Sequence, residues 1–304
     1  MKTLLIFTLF HLMVWVSAPT FAQDRPPVID MHLHIGAPLD LPAGAAAPCL
    51  PQPCIPKGRA TANPSENLEQ TLEAMDRYNI VKAFLSDLDQ GELRKWAAAA
   101  PDRFIVSPFI LDPEKASPET LRQELEAKRL SGIGEIASQL VGVAPNDPKL
   151  EPYFALAEEF DVPLLIHTEG IGPPVPGFRS AAGTPLLLEE VLVKHPGLRI
   201  FVENSGFPYL DEMVAMMYQY PQLYGDLSTI TWIIPRSAFY DYLKGLMEAG
   251  LGKRLMFGSD QMRWPEMIGE GIEAIEQADF LSPEEKRDIL YNNAARFLRL
   301  EKEQ

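Results

Sequence analysis

Cysteine, histidine and positive charge are all scarce in this 304-residue sequence, which holds 2 Cys, 5 His and 27 Lys plus Arg against 42 Asp plus Glu. With a formal charge of −15 and no basic cluster, the chain lacks the footprint that phosphate binding requires. Nucleic acid and anionic membrane surfaces are thereby excluded as partners. No apolar run reaches the ~18 to 20 residues needed to span a bilayer, so no stable membrane anchor is expected. No G-x-G-x-x-G follows the first strand candidate, which argues against a dinucleotide-binding sheet. What is present is 46% hydrophobic residues with both charge signs spread along the chain. That composition rules out a disordered tail, a coiled coil or a collagen-like rod and leaves a packed globular protein with a small-molecule ligand.

Residues 1–22 read as a leader: Met1-Lys2, the apolar run TLLIFTLFHLMVWV, then SAPTFA. A basic start, a short apolar core and a small-residue site predict a signal peptide cleaved after Ala22, and hence a periplasmic or secreted protein. The remaining residues, 23–304, carry 26 basic and 42 acidic side chains, a charge of −16. Cys49 and Cys54 lie in PCLPQPC with no histidine nearby. In an oxidising compartment such a pair is expected to form a disulfide rather than a zinc site, which normally needs four ligands.

From residue 28 onward, eight β-rich apolar runs alternate with eight segments of helical periodicity. The strand candidates cover 28–35, 80–88, 104–111, 132–140, 162–169, 198–206, 223–231 and 254–260. Between them, apolar residues recur at spacings of three and four, and Ser117-Pro118-Glu119 has the form of a helix start. Buried strands separated by amphipathic helices imply a parallel sheet covered on both faces. Eight units predict an α/β fold of the (β/α)8 TIM-barrel type, one domain over 23–304, with an extra C-terminal helix in PEEKRDILYNNAARFLRL.

Active sites of such barrels form at the C-terminal strand ends, and the reactive residues of this chain collect there. His32 and His34 end strand one, Glu135 lies on strand four, His167 ends strand five and Asp260 ends strand eight. Two residues apart on a strand share a face, so His32 and His34 point together while Met31 and Leu33 are expected to face the helices. Three imidazoles and a carboxylate suit Zn2+ or another borderline divalent ion with a position left open for water. His195, in KHPG at a helix end, is expected to cap carbonyls.

The motifs IDMHLHIG, GIGEI, PLLIHTEG, RLMFGSD and YNNAARFL resemble those of the amidohydrolase superfamily, and within it the amidohydrolase-related group that includes relatives of aminocarboxymuconate-semialdehyde decarboxylase. The resemblance covers essentially the whole chain after the leader. It implies a metal-dependent hydrolase fold, with His32, His34, His167 and Asp260 as metal ligands, Asp260 doubling as proton shuttle, and Glu135 where the superfamily often has a bridging carboxylate. One position departs from the pattern. The group usually carries a further histidine at the end of strand six, and FVENSGFP places Asn204 there. Asn cannot take up a proton near neutral pH, so the base work falls to Asp260 or to Glu203, which strand parity points away from the interior unless the strand end twists. One metal ion is therefore favoured over two. Asp226, in YGDLS, is a candidate support for a ligand histidine or a loop pin.

The function expected first is hydrolysis of a small amide, lactone or ester by activated water, with Asp260 as the proton carrier and Asn204 or His167 beside the oxyanion. The alternative is non-oxidative decarboxylation on the same scaffold, and a third reading is a non-catalytic periplasmic binding protein. The long loop over 36–65, rich in Pro and Ala, is a candidate lid. Arg179, Arg263 and Trp264, in the loops after strands five and eight, are candidates for substrate binding, an Arg there being able to hold a carboxylate bidentately. The oligomeric state is left open, a homodimer included.

Overall fold

The computed structural model describes residues 25–36, 42–55 and 57–300. The expected leader over 1–22 and part of the first loop lie outside them. Among the described residues there are eight parallel strands: β1 Val28–His34, β2 Ile80–Asp87, β3 Phe104–Pro108, β4 Ile133–Ile136, β5 Leu164–Ile166, β6 Ile200–Val202, β7 Leu223–Asp226 and β8 Leu255–Met256. They pair in order as β1-β2-β3 and β4-β5-β6-β7-β8. A parallel bridge between Ile110 and Ile136 joins the two runs. Backbone bonds from Met31 N to Phe257 O (2.8 Å) and Asp260 N to His32 O (2.7 Å) close the ring. The fold is the expected (β/α)8 barrel.

Each strand is followed by a helix: α1 Pro64–Arg77, α2 Gln90–Ala99, α3 Pro118–Glu126, α4 Glu151–Glu159, α5 Glu189–Lys194, α6 Leu210–Gln219, α7 Arg236–Glu248 and α8 Glu266–Glu276. Their starts follow local chemistry. Asn63 accepts from Glu66 N at 3.0 Å and Ser117 from Thr120 N at 3.2 Å, each with Pro in the first turn, where its missing N–H costs nothing. The terminal segment runs α9 Pro283–Arg287, a π-turn over 288–292, and α10 Asn293–Phe297.

Two apolar layers hold the barrel. Outside it, Leu33, Leu85, Ile133, Ile166 and Val202 pack against Met75, Trp96, Leu121 and other helix residues. Inside, Ile29, Met31, Phe84, Ile105, Leu165 and Phe201 form a plug, and Ala294 and Phe297 of α10 join it. Phe297 meets Phe201 edge to face at 5.5 Å, and its carbonyl accepts from Arg199, just before β6, at 2.9 Å. The terminal helix therefore seals the end of the barrel opposite the strand C-termini. Met31 belongs to this inner layer and not to the helix-facing one that strict alternation predicts. The β1–β2 pairing shifts register between Asp30 and Leu33, so Met31 and His32 both turn inward while Leu33 still faces out.

Most strands are shorter than their apolar runs. After Val202 the chain turns at once, with Asn204 (φ 49°) and Ser205 (φ 48°) in the left-handed region. Residues 138–141 and 229–231 likewise leave the ladder as 3-10 turns. His195 also differs from expectation. It ends α5, but its ring meets Glu158 (2.7 Å) and Glu151 (3.2 Å) of α4 rather than open carbonyls.

Candidate metal centre

The ends of β1, β4, β5, β6 and β8 converge on one buried cluster. His32 Nε2 lies 3.0 Å from His34 Nε2 and 3.2 Å from Glu135 Oε2. His34 Nε2 is 3.0 Å from the same Glu135 oxygen and 3.4 Å from Asp260 Oδ1. The outer nitrogens are fixed from behind. His32 Nδ1 meets Asp226 Oδ2 at 3.0 Å and His34 Nδ1 meets Ser86 O at 2.9 Å, which turns both Nε2 atoms into the cluster. Gly134 makes the placement of Glu135 possible: its φ is +99°, and a Cβ there would collide with the carbonyl of Leu165.

Glu135 links two halves of the site. Its Oε2 serves the β1 histidines, and its Oε1 accepts from His167 Nδ1 at 3.1 Å. Glu203 abuts the same His167 nitrogen, and Glu169 Oε1 stands 3.7 Å from His167 Nε2. Donor atoms gather in three overlapping sets: His32, His34 and Glu135; His32, Glu203 and Asp260; and Glu135, His167 and Glu203.

Two expectations require correction here. Glu203 does not point away from the interior; it is buried in the cluster, because the strand ends at Val202 and alternation no longer applies to the residue after it. Asn204 does not stand in the cleft. Its Nδ2 donates to Glu169 Oε2 (2.5 Å) and Thr229 Oγ1 (2.7 Å), and its Oδ1 accepts from Ile230 N (3.0 Å); Ser228 Oγ stands 3.2 Å from that oxygen but gives its one proton to Asp226 Oδ1 at 2.7 Å. With both amide protons and its carbonyl oxygen engaged, it holds Glu169 and the β7 loop in place. Glu169 was not singled out by sequence reasoning, although it lies two residues beyond His167, the same spacing that pairs His32 with His34.

Electrostatics show what the cluster needs. Asp226, Glu135, Glu169, Glu203 and Asp260 are all buried around three histidines, with no Lys or Arg ion-paired to any of them among the described residues. Burial pushes Asp260 up to about 8, against the pull of His32 and His34, with Glu203 and Glu135 adding repulsion. Burial and the charge of Glu203 likewise raise Glu169 well above the carboxylate range. Burial opposes charge on His32, yet Asp260, Asp226 and Glu135 outweigh it and raise its pKa well above the usual value. His167 is raised in the same way by Glu203 and Glu135. Glu135 stays ionised: hydrogen bonds from His167, His32 and His34 overcome burial and hold it well below its ordinary range. His167 Nε2 is buried without a hydrogen-bond partner, and Glu203 Oε2 meets only the His167 imidazole it abuts. Excess carboxylate, imidazole nitrogens turned inward and an unsatisfied ring nitrogen fit a divalent cation.

Above the cluster opens a cleft of about 390 Å3 that reaches His34, Glu135, His167, Glu169, Glu203 and Asp260. The Cys49–Cys54 disulfide is formed, and its loop supplies Ala46, Pro48 and Leu50 to the wall. That loop is clamped by Leu50 N to Ile233 O at 2.7 Å. Trp264 is also in the wall, its Nε1 donating to Ala45 O at 2.8 Å. Arg179 and Arg263 are not. Arg179 donates to Pro176 O (2.8 Å) and Phe178 O (2.7 Å) of its own loop, and Arg263 donates to Thr61 O.

The profile of the Amidohydrolase family (Amidohydro_2) matches residues 29–300. The chain belongs to the amidohydrolase family. No curated protein matches this amidohydrolase in sequence. Solved structures match it in fold. An uncharacterized TIM-barrel protein from Bordetella bronchiseptica superposes with a TM-score of 0.64 at 18% identity, over 90% of this chain and 99% of that one. A probable 2-pyrone-4,6-dicarboxylic acid hydrolase from Acinetobacter baumannii, with citric acid bound, gives 0.62 at 14% identity over 90% and 99%. A 5-carboxyvanillate decarboxylase from Novosphingobium aromaticivorans, complexed with manganese, gives 0.52 at 20% identity over 75% and 79%. Hydrolases and decarboxylases thus both share the amidohydrolase barrel, and the choice between them rests on the site.

Proposed function

We propose that this amidohydrolase hydrolyses a small ester, lactone or amide with one divalent ion, Zn2+ by preference. The observation that carries the reading is the convergence of His32, His34, Glu135 and Asp260 at the floor of a cleft that Asp260 itself lines. Their imidazole and carboxylate donors would hold the ion, which supplies Lewis acidity and a nucleophilic water at neutral pH. Asp260 takes one proton from the attacking water as its oxygen bonds to the acyl carbon. When the bond to the leaving oxygen or nitrogen breaks, Asp260 returns that proton to it. A buried carboxyl beside two imidazoles can hold a proton in transit. Asp226 and Ser86 keep the histidines turned toward the site, and Glu203 and Glu135 orient His167 at the cleft wall. The leader pattern over 1–22 and the Cys49–Cys54 disulfide support an exported protein.

Metal analysis and a substrate panel test this together. One zinc per chain is expected, and two would assign the second to Glu135, His167 and Glu203. The zinc-loaded protein should hydrolyse lactones, esters or amides without releasing CO2 from aromatic acids, and Asp260→Asn should lower kcat by ~10²- to 10⁴-fold. CO2 release without hydrolysis would replace the reading by the lyase, and full activity in Asp260→Asn would remove the proton carrier.

A further inference from the structure

We infer that the substrate is a neutral, apolar acyl compound with no carboxylate at the end remote from the scissile bond. This rests on the hydrolytic reading and specifies its substrate class. Beyond the metal cluster, the cleft is walled by Leu88, Phe109, Leu140, Ile171, Ile233 and Trp264, with prolines of the neighbouring loops. The ionisable residues that reach it are His34, His167 and five carboxylates, Asp87, Glu135, Glu169, Glu203 and Asp260. No Lys or Arg lines it among the described residues. The nearby cations are turned elsewhere: Lys57 to Glu270, Arg179 to its own loop carbonyls and Arg263 to Thr61 O. Residues 37–41, Ala-Pro-Leu-Asp-Leu, and Pro56 contribute no basic side chain to the first loop.

A carboxylate carried into this wall, away from the metal floor, would lose its hydration and find no Lys or Arg among the described lining residues to replace it. An alkyl or aryl group would bury apolar surface at ~25 cal/mol per Å2. The wall therefore selects by charge as well as by shape, and the anionic floor is left to the metal ion.

Two matched pairs test the inference on the zinc-loaded protein. The first is 4-nitrophenyl butanoate against 4-nitrophenyl hydrogen succinate, compared by kcat/KM. The second is butyrophenone against 4-oxo-4-phenylbutanoate, which cannot be hydrolysed, compared by calorimetric Kd. The neutral member should be favoured ~100-fold or more in each pair. Leu88→Arg, at a wall position 58% exposed to solvent, should raise affinity for the keto acid about tenfold. Equal or tighter binding of the keto acid to the natural protein, or no binding of either ketone, overturns the inference. Selective binding of butyrophenone with no ester, lactone or amide hydrolysed leaves the inference standing and removes the hydrolytic reading.

Discussion

Asp226→Asn changes one atom type and should disable the metal centre through a tautomer. Asp226 Oδ1 accepts three hydrogen bonds, from Asn204 N (2.8 Å), Ser228 N (3.2 Å) and Ser228 Oγ (2.7 Å), while Oδ2 faces His32 Nδ1 at 3.0 Å. An Asn at this position must leave its carbonyl oxygen with those three donors, since turning the NH2 toward them would set donors against the two backbone N–H groups. The NH2 then faces His32 Nδ1, which must become an acceptor. That moves the ring proton to Nε2, the atom 3.0 Å from His34 Nε2 and 3.2 Å from Glu135 Oε2. A protonated Nε2 cannot bind a metal ion. Loss of such a supporting carboxylate typically costs 10- to 100-fold in metal affinity, about 1.4 to 2.7 kcal/mol. Competitive chelator titration reads the affinity, and thermal unfolding of the metal-free protein checks that the fold persists. Zinc affinity within threefold of the natural protein in a folded Asp226→Asn variant would refute the tautomer argument.

Two further outcomes follow from the packing and the charges. In the metal-free protein Asp260, Glu169, His32 and His167 have folded pKa values above their unfolded ones, so the native state holds protons that the unfolded chain has released. Their stabilisation is complete below the unfolded values and is lost as pH rises through the folded ones, whereas Glu135, held low, contributes stability that is lost only in acid. The melting temperature of chelator-treated protein should therefore fall by a few degrees from pH 6 to 9, and zinc affinity should rise over the same range as binding displaces protons; a melting temperature that rises instead would contradict these directions. Phe297→Ala, which empties the seal beneath the barrel, should lower stability by ~3 to 5 kcal/mol in equilibrium denaturation. A loss below ~1 kcal/mol would mean that α10 does not close the inner core.

The eight strands, the helices between them and the terminal helix were legible because each rests on a periodicity or an end signal that local chemistry enforces. The β1 histidines were legible for the same reason, being two residues apart at the end of a buried strand. Parity fails at two places, and both have the same physical cause. At Asp30–Leu33 the pairing shifts register, and after Val202 the strand simply stops, so alternation cannot be carried through either point. Met31 departs from parity on those grounds, and Glu203 turns inward through the departure at the strand end that parity left open. Glu169 followed the rule and could have been found, since His167-Thr168-Glu169 repeats the spacing of His32-Leu33-His34. The positions of Arg179 and Arg263 had no readable signal, because a loop arginine meets whichever carbonyl or carboxylate the tertiary fold brings to it.

The histidine absent from the end of β6 leads to a last prediction. If position 204 were simply a vacant ligand site, Asn204→His would create a second metal position. The geometry argues otherwise. The end of β6 at Val202 turns Glu203 into the cluster, and the left-handed backbone at Asn204 and Ser205 sends residue 204 toward the β7 loop, where it is fully buried and makes three side-chain hydrogen bonds within 3.0 Å. An imidazole has two ring nitrogens for those three partners and more volume than the amide it replaces, so Glu169 and the 228–230 turn lose support. Leaving buried polar partners unsatisfied costs ~1 to 3 kcal/mol each. Asn204→His should therefore lower the melting temperature by several degrees and leave zinc stoichiometry at that of the natural protein. A gain of one zinc per chain with stability unchanged would show that residue 204 can reach the cluster, and that the bend does not exclude it. The acid at 203 holds the inward place at the end of β6, which adds to the carboxylate excess and deepens the demand of this site for a cation.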